Sequence, residues 1–250
     1  MSKKQYKAII FDVDGTLVPN NGTHIPSEKV ITAVKKAMEK VHVSIATSRP
    51  IFAITAFIEK FDLQDPVIVN GGAQIVDLQT KKTLWGKPFS QHEIHDLIQL
   101  LHKYKLDYFF TDSEKDFKEY NLVNPPLVYK LYSYNIDAQL IEVFLKETTT
   151  LSSLSFQKVP SWEKGRIDLH VSHAEGTKQH GVFEIAKILG INTDEIIGVG
   201  DGYNDFPLLM ACGLKVAMGN AVDELKAIAD YIAPTADDNG VVEVIEKFIL

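Results

Sequence analysis

The stretch IIFDVDGTLV, Ile9 to Val18, decides how the rest of the chain is read. Ile9, Ile10 and Phe11 continue an apolar run that predicts a buried strand, but Asp12 and Asp14 interrupt it and Gly15 follows at once. Burying a carboxylate is costly unless something compensates its charge. Two of them at the end of a strand therefore point to a site rather than to folding.

Outward from this stretch, short Val- and Ile-rich runs alternate with amphipathic segments. KAIIF at 7–11, VSIAT at 43–47 and PVIVN at 66–70 predict strands. Between them lie a helix from Ser27, whose Val30, Val34, Ala37, Met38 and Val41 share a face, and a shorter one over IFAITAFIEKF. The pattern resumes late in the chain, with strands over 195–200, 214–218 and 231–234, helices over 178–189, 205–212 and 221–229, and a last helix in VVEVIEKFI. From about Trp85 to Val171 the texture changes to aromatic and β-branched runs with two helical pieces interposed, and a hairpin from Ala73 to Trp85 leads into it. The fold class expected is α/β: a Rossmann-like, doubly wound parallel-sheet core formed by residues 1–84 and 174–250, with an inserted α+β cap over 85–173.

Composition narrows the functions open to such a chain. The 250 residues are 45% hydrophobic and 24% charged, which describes a globular protein with a real core. Lys and Arg number 26 against 33 Asp and Glu, a formal charge of -7, and no basic run offers a nucleic-acid face. A small-molecule partner is expected instead. Cys212 is the single cysteine, so no internal disulfide can form, and its place in PLLMAC reads as a buried thiol. The apolar part of the N-terminus is too short for a signal peptide, and no run suffices to span a membrane. A cytoplasmic protein is the expectation; the sequence carries no sign of oligomeric state.

In an open parallel sheet, ligands bind beyond the carboxyl ends of the strands. Four predicted strands end in polar residues there: Asp12 after KAIIF, Thr47 and Ser48 after VSIA, Asn70 and two glycines after VIV, and Asp201 after EIIGVG. Several carboxylates brought together call for a cation, and an oxygen-only ligand set suits Mg2+, which in turn suits a phosphate. An aspartate can also act as a nucleophile toward phosphorus.

DVDGT after one strand, ATSRP after the next, a late lysine and GVGDGYNDFPLL together resemble the haloacid dehalogenase superfamily. Within it, the insert resembles the cap of the Cof-like, type IIB sugar-phosphate phosphatases. The resemblance implies a Mg2+-dependent phosphatase acting on a small phosphorylated metabolite. Asp12 would be the nucleophile and Asp14 the general acid and base. Thr47 and Lys178 would bind and neutralise the phosphoryl group, Asn204 would be a further phosphate or water contact, and Asp201 and Asp205 would hold the metal with Asp12 and the main-chain carbonyl of Asp14. Read from the residues themselves, Ser48 adds a hydroxyl for the phosphate or narrows the turn, and Arg49 reaches the phosphate as a fork of donors or pairs with a surface acid. The chain departs from the common family pattern at Ser48 and Gln179, where relatives usually carry glycine. Core residues alone leave a phosphotransferring mutase open. A non-catalytic receiver-like domain is the remaining alternative, opposed by the cap and by Asp14.

The histidines give no third zinc ligand: His92 and His95 read as a solvated helix face, and His170 and His173 as opposite sides of a strand. Tyr129, Tyr132 and Tyr134 read as cap packing.

Overall fold

The computed structural model describes residues 5–20, 25–121, 123–161 and 163–250. The chain begins with β1 (Ala8–Phe11), α1 (Glu28–Met38), β2 (His42–Ile45), α2 (Ile51–Phe61) and β3 (Val67–Val69), then a hairpin of β4 (Gln74–Val76) and β5 (Thr83–Gly86). The insert holds α3 (Gln91–Lys103), β6 (Phe109–Thr111), β7 (Asp116–Phe117), β8 (Lys130–Asp137), α4 (Ala138–Glu147), β9 (Leu154–Pro160) and β10 (Arg166–His173). It returns through α5 (Lys178–Leu189), β11 (Ile196–Gly200), α6 (Phe206–Ala211), β12 (Leu214–Ala217), α7 (Asp223–Ile228), β13 (Tyr231–Ile232) and α8 (Gly240–Phe248).

The core sheet is parallel, in the order β13-β12-β11-β1-β2. A single bridge, Ala46 to Ile68, carries β3 alongside β2. Alternation along β1 shows why the sheet is covered on both sides: Ile9 and Phe11 join the core under α1, α2 and α8, whereas Ala8 and Ile10 join the core under α5, α6 and α7. The strand order reverses between β1 and β11, and such a switch point opens a crevice at the carboxyl ends of both strands. Asp12 leaves one strand there and Asp201 the other.

In the insert, five antiparallel strands run in the order β7-β6-β8-β10-β9. Leu131, Leu169 and Val171 pack with α3 and α4 in a separate hydrophobic core made only of insert residues. The period-2 alternation of a strand then places Lys130, Tyr132 and His170 on the opposite face, and that face turns toward the parallel sheet.

Some boundaries shift from those the sequence predicts. The strand expected over 231–234 stops at Ile232: Ala233 N still donates to Ala217 O (2.9 Å), but Pro234 has no N–H with which to continue the ladder. The two short helices expected over 205–212 and 221–229 contract to 206–211 and 223–228. The division expected between residues 84 and 85 falls inside β5, which remains paired with β4 through Gly86. Cys212 is buried beneath β11, and burial pushes its thiol well above the ordinary range.

Candidate active site

The turn after β1 sets the first two acids. Asp12 N donates to Val199 O (2.9 Å) and Val18 N to Val13 O (3.0 Å), so the strand ends at Phe11 and the chain doubles back over Gly15. Gly15 has φ +83°, and a Cβ there would lie 2.1 Å from Asp201 Oδ2, so only glycine lets the turn approach β11 this closely. The turn leaves Asp12 4% exposed and Asp14 half-buried.

Asp12, Asp201 and Asp205 form a buried cluster whose nearest carboxylate oxygens lie within 4.8 Å of one another. Lys178, at the first position of α5 and 1% exposed, reaches it from below: its Nζ is 2.6 Å from Asp12 Oδ1 and 2.6 Å from Asp205 Oδ1. Asp205 Oδ2 accepts from the backbone N–H of Asp201 and of Gly202, both at 2.9 Å, so this carboxylate fixes the loop after β11. Asp201 accepts from Thr16 Oγ1 at 3.1 Å and, more weakly, from Asn220 at 3.4 Å.

The charges explain what the cluster lacks. Burial, and next to it Asp205, push Asp201 up to about 7, with the Thr16 hydrogen bond working against them. Burial and Asp205 push Asp12 upward as well, and Lys178 opposes the shift. Burial alone would lower Lys178, yet Asp12 and Asp205 hold it above its ordinary value, so it keeps its proton. Three carboxylates face one ammonium, which leaves room for a divalent cation with oxygen ligands.

The loop after β2 supplies the rest. Thr47 is buried, its N donates to Ile68 O (2.9 Å), and its Oγ1 accepts from Arg49 N (3.1 Å), which leaves its O–H to donate elsewhere. Arg49 grips Asp14 with both faces of its fork, Nε to Oδ2 at 2.8 Å and a second bond from a terminal nitrogen to Oδ1. Ser48 Oγ accepts from Asn204 Nδ2 at 3.3 Å and so ties this loop to the one after β11. A cavity of about 500 Å³ opens above, lined from the core by Asp12, Asp14, Thr47, Ser48, Asp201 and Asn204, and from the insert by Gln157, Lys158, Val159 and His170. The nine residues expected to bind phosphate, hold metal or carry the chemistry thus gather at one place, with Lys178 and Asp205 beneath the floor and Arg49 at its edge.

Residues 9–152 and 113–245 match the family model of the haloacid dehalogenase-like hydrolases. The chain belongs to the haloacid dehalogenase-like hydrolases. It is of the Cof-like type, a phosphoric monoester hydrolase of that family. Among similar haloacid dehalogenase-like proteins is a 5-amino-6-(5-phospho-D-ribitylamino)uracil phosphatase from Bacillus subtilis, 24% identical over 97% of this chain and 98% of its own. A phosphoglycolate phosphatase from Methanosarcina acetivorans is 25% identical over 97% of this chain and 96% of its own. A solved phosphatase of the superfamily from Bacteroides thetaiotaomicron superposes with a TM-score of 0.84 at 25% identity, covering 99% of this chain and 96% of that one. A subclass IIB sugar phosphatase has the same fold, with a TM-score of 0.78 at 24% identity over 97% and 98%.

Sequence reasoning passed over several residues of this haloacid dehalogenase-like site. Asn220 donates to Gly15 O (2.8 Å) and accepts from Ala236 N (2.8 Å), bracing the Asp12–Gly15 turn. Its signal was available, since it follows β12 at the same carboxyl edge. Thr16 and Gln157 carry no such signal, and His170 carries none beyond its place on a strand. Tyr132, read as packing, also donates to Ser48 O (3.2 Å). Among the described residues His92 is exposed and pairs with Asp96 (3.1 Å), and His170 and His173 take no part in a metal cluster.

Proposed function

We propose that the protein is a Mg2+-dependent phosphatase that hydrolyses a small phosphorylated metabolite, a sugar phosphate, through an aspartyl phosphate on Asp12. The observation that carries this reading is the buried Asp12 carboxylate, one oxygen held by Lys178, at the floor of a cavity roofed by the insert. Asp12 attacks phosphorus while the bond to the ester oxygen breaks, and Asp14 gives the leaving alkoxide its proton. Asp14 then takes a proton from water, the water oxygen attacks the same phosphorus, and the P–O bond to the Asp12 carboxylate breaks to release phosphate and the free carboxylate. Thr47 donates to a phosphoryl oxygen and Lys178 offsets the charge that Asp12 carries in and the phosphoryl group brings.

Asp14 meets Arg49 with both oxygens, so its turn as an acid requires that pair to part. A phosphate arriving beside Asp12 offers the guanidinium fork an alternative planar pair of oxygens. Asp12, Asp201 and the Asp14 carbonyl, with Asp205 behind them, would hold Mg2+, which when bound neutralises phosphoryl charge. The relatives' activities on phosphoglycolate and on phosphorylated sugars support a small, hydrophilic substrate. The insert then excludes bulk water and contacts the organic part. A cytoplasmic setting accords with this chemistry, and no described helix is long and apolar enough to cross a membrane.

The test is phosphate release from a panel of phosphorylated metabolites with Mg2+, repeated with Asp12→Asn and with EDTA. Orthophosphate from the wild type alone, and only with metal, is expected. An active Asp12→Asn protein would sink the mechanism, activity in EDTA the metal, and an isomeric sugar phosphate as product would replace hydrolysis by transfer.

A further inference from the structure

Lys130 is a lysine that the chemistry above does not use. It begins β8, is 3% exposed, and its Nζ donates to the carbonyl of Ser48 (3.2 Å) across the interface between insert and core. Tyr132, two residues on along the same strand face, donates to that carbonyl as well (3.2 Å). The Lys130 ammonium lies 4.9 Å from the Tyr132 ring centre. Ser48 itself lines the cavity between Thr47 and Arg49, so two side chains of the insert clasp the loop expected to hold the phosphoryl group.

What Lys130 lacks is a counter-charge. Among the described residues no carboxylate lies within ion-pair distance of it, and the charge that acts on it is the like-signed Lys178. Burial, and after it Lys178, bring it down to about 7. His170, beside it in the cavity wall, is pushed down to about 3 by burial and then by Lys130, and so is neutral. Lys158, also in that wall, is exposed and already paired with Glu142 (2.6 Å). A buried ammonium without an anion costs stability, so a purely structural lysine here would be a poor choice beside methionine.

We infer that Lys130 is a positioning residue that couples closure of the insert to the presence of a phosphate dianion, its buried positive charge over the Thr47–Arg49 loop finding in the dianion the counter-charge it lacks among the described residues. Without phosphate, closing this face either strips Lys130 of its proton or places a second buried ammonium near Lys178. With phosphate, the dianion supplies the missing charge, and the bond to Ser48 fixes the loop. The inference rests on the phosphatase reading only in taking phosphate as the ligand.

The test is calorimetric titration of inorganic phosphate into the wild type, Lys130→Met and Lys130→Gln in the presence of Mg2+, with melting of each free protein. Lys130→Met is expected to bind phosphate about tenfold or more weakly while melting at or above the wild-type temperature. Lys130→Gln keeps a donor for Ser48 but no charge, and is expected to bind as weakly as Lys130→Met; it also serves if the methionine variant does not fold. With p-nitrophenyl phosphate the loss should lie in KM, with kcat within about threefold, because the dianion is present in ground and transition state alike. Phosphate affinity in Lys130→Gln within twofold of wild type would overturn the inference, as would a wild type that binds no phosphate. A wild type that binds phosphate but hydrolyses no monoester would sink the phosphatase reading and leave this one standing.

Discussion

Lys178 Nζ lies 2.6 Å from Asp12 Oδ1 and 2.6 Å from Asp205 Oδ1, so one buried ammonium serves the carboxylate expected to react and the carboxylate that fixes the loop after β11. Replacing it with methionine leaves both acids buried without their cation, a loss of about 3–5 kcal/mol when one partner of a buried pair is removed. Lys178→Met should therefore melt well below the wild type and release no phosphate. A calorimetric scan beside a phosphate assay checks both parts.

Gly15 fixes how close the Asp12 turn comes to Asp201. Gly15→Ala puts a Cβ 2.1 Å from Asp201 Oδ2 and holds a non-glycine residue at φ +83°. The left-handed backbone alone costs about 1–2 kcal/mol, and relief of the clash must move Asp201. Denaturant titration should show that loss, and Mg2+ titration a weakening of at least about tenfold, since the ligand itself shifts.

The metal-free protein should lose stability as pH rises. Asp201 is held at about 7 in the folded state by burial and Asp205, above its unfolded value, so the folded state binds more protons in between. That contribution is complete below about pH 4 and is lost on the way through pH 7. Melting temperatures in EDTA should fall from pH 5 to pH 8, and Mg2+ should restore more stability at pH 8 than at pH 5. A metal-free melting temperature that rises over this range would contradict the assignment.

Arg49→Ala tests the pairing with Asp14. If the guanidinium passes to the phosphate, its loss should raise KM for p-nitrophenyl phosphate by about tenfold, as for a charge-assisted hydrogen bond worth about 1.5–3 kcal/mol. Should Arg49 serve only to hold Asp14, KM will stay near the wild-type value and kcat will change. Steady-state kinetics of the one variant separates the two roles.

The core sheet and its edge were legible because each strand carries its own local signature: an apolar run ending in Asp12, Thr47 or Asp201 says both what is buried and where the chain leaves the sheet. Ser48 was legible as a departure, but its effect was not. Its hydroxyl meets Asn204 and its carbonyl meets Lys130 and Tyr132, contacts that span 156, 82 and 84 residues of sequence. Lys130 looks like any strand-edge lysine in LVYKLYSYN; only the packing of two sheets buries it. Arg49 could have paired with any surface acid, and which one it took depended on where the turn over Gly15 left Asp14. Long-range polar contacts of this kind have no period for a sequence to display.

The central claim is that phosphorus passes through Asp12. The most direct measurement is trapping during turnover of p-nitrophenyl phosphate, whose leaving group needs no acid: quenching the reaction with Asp14→Asn protein, in which the second step lacks its base, and reducing any acyl phosphate with borohydride before peptide mass spectrometry. The account expects the reduced product, homoserine, at position 12 and nowhere else. A modified residue at another position, or unmodified Asp12 in enzyme that is turning over, would contradict it.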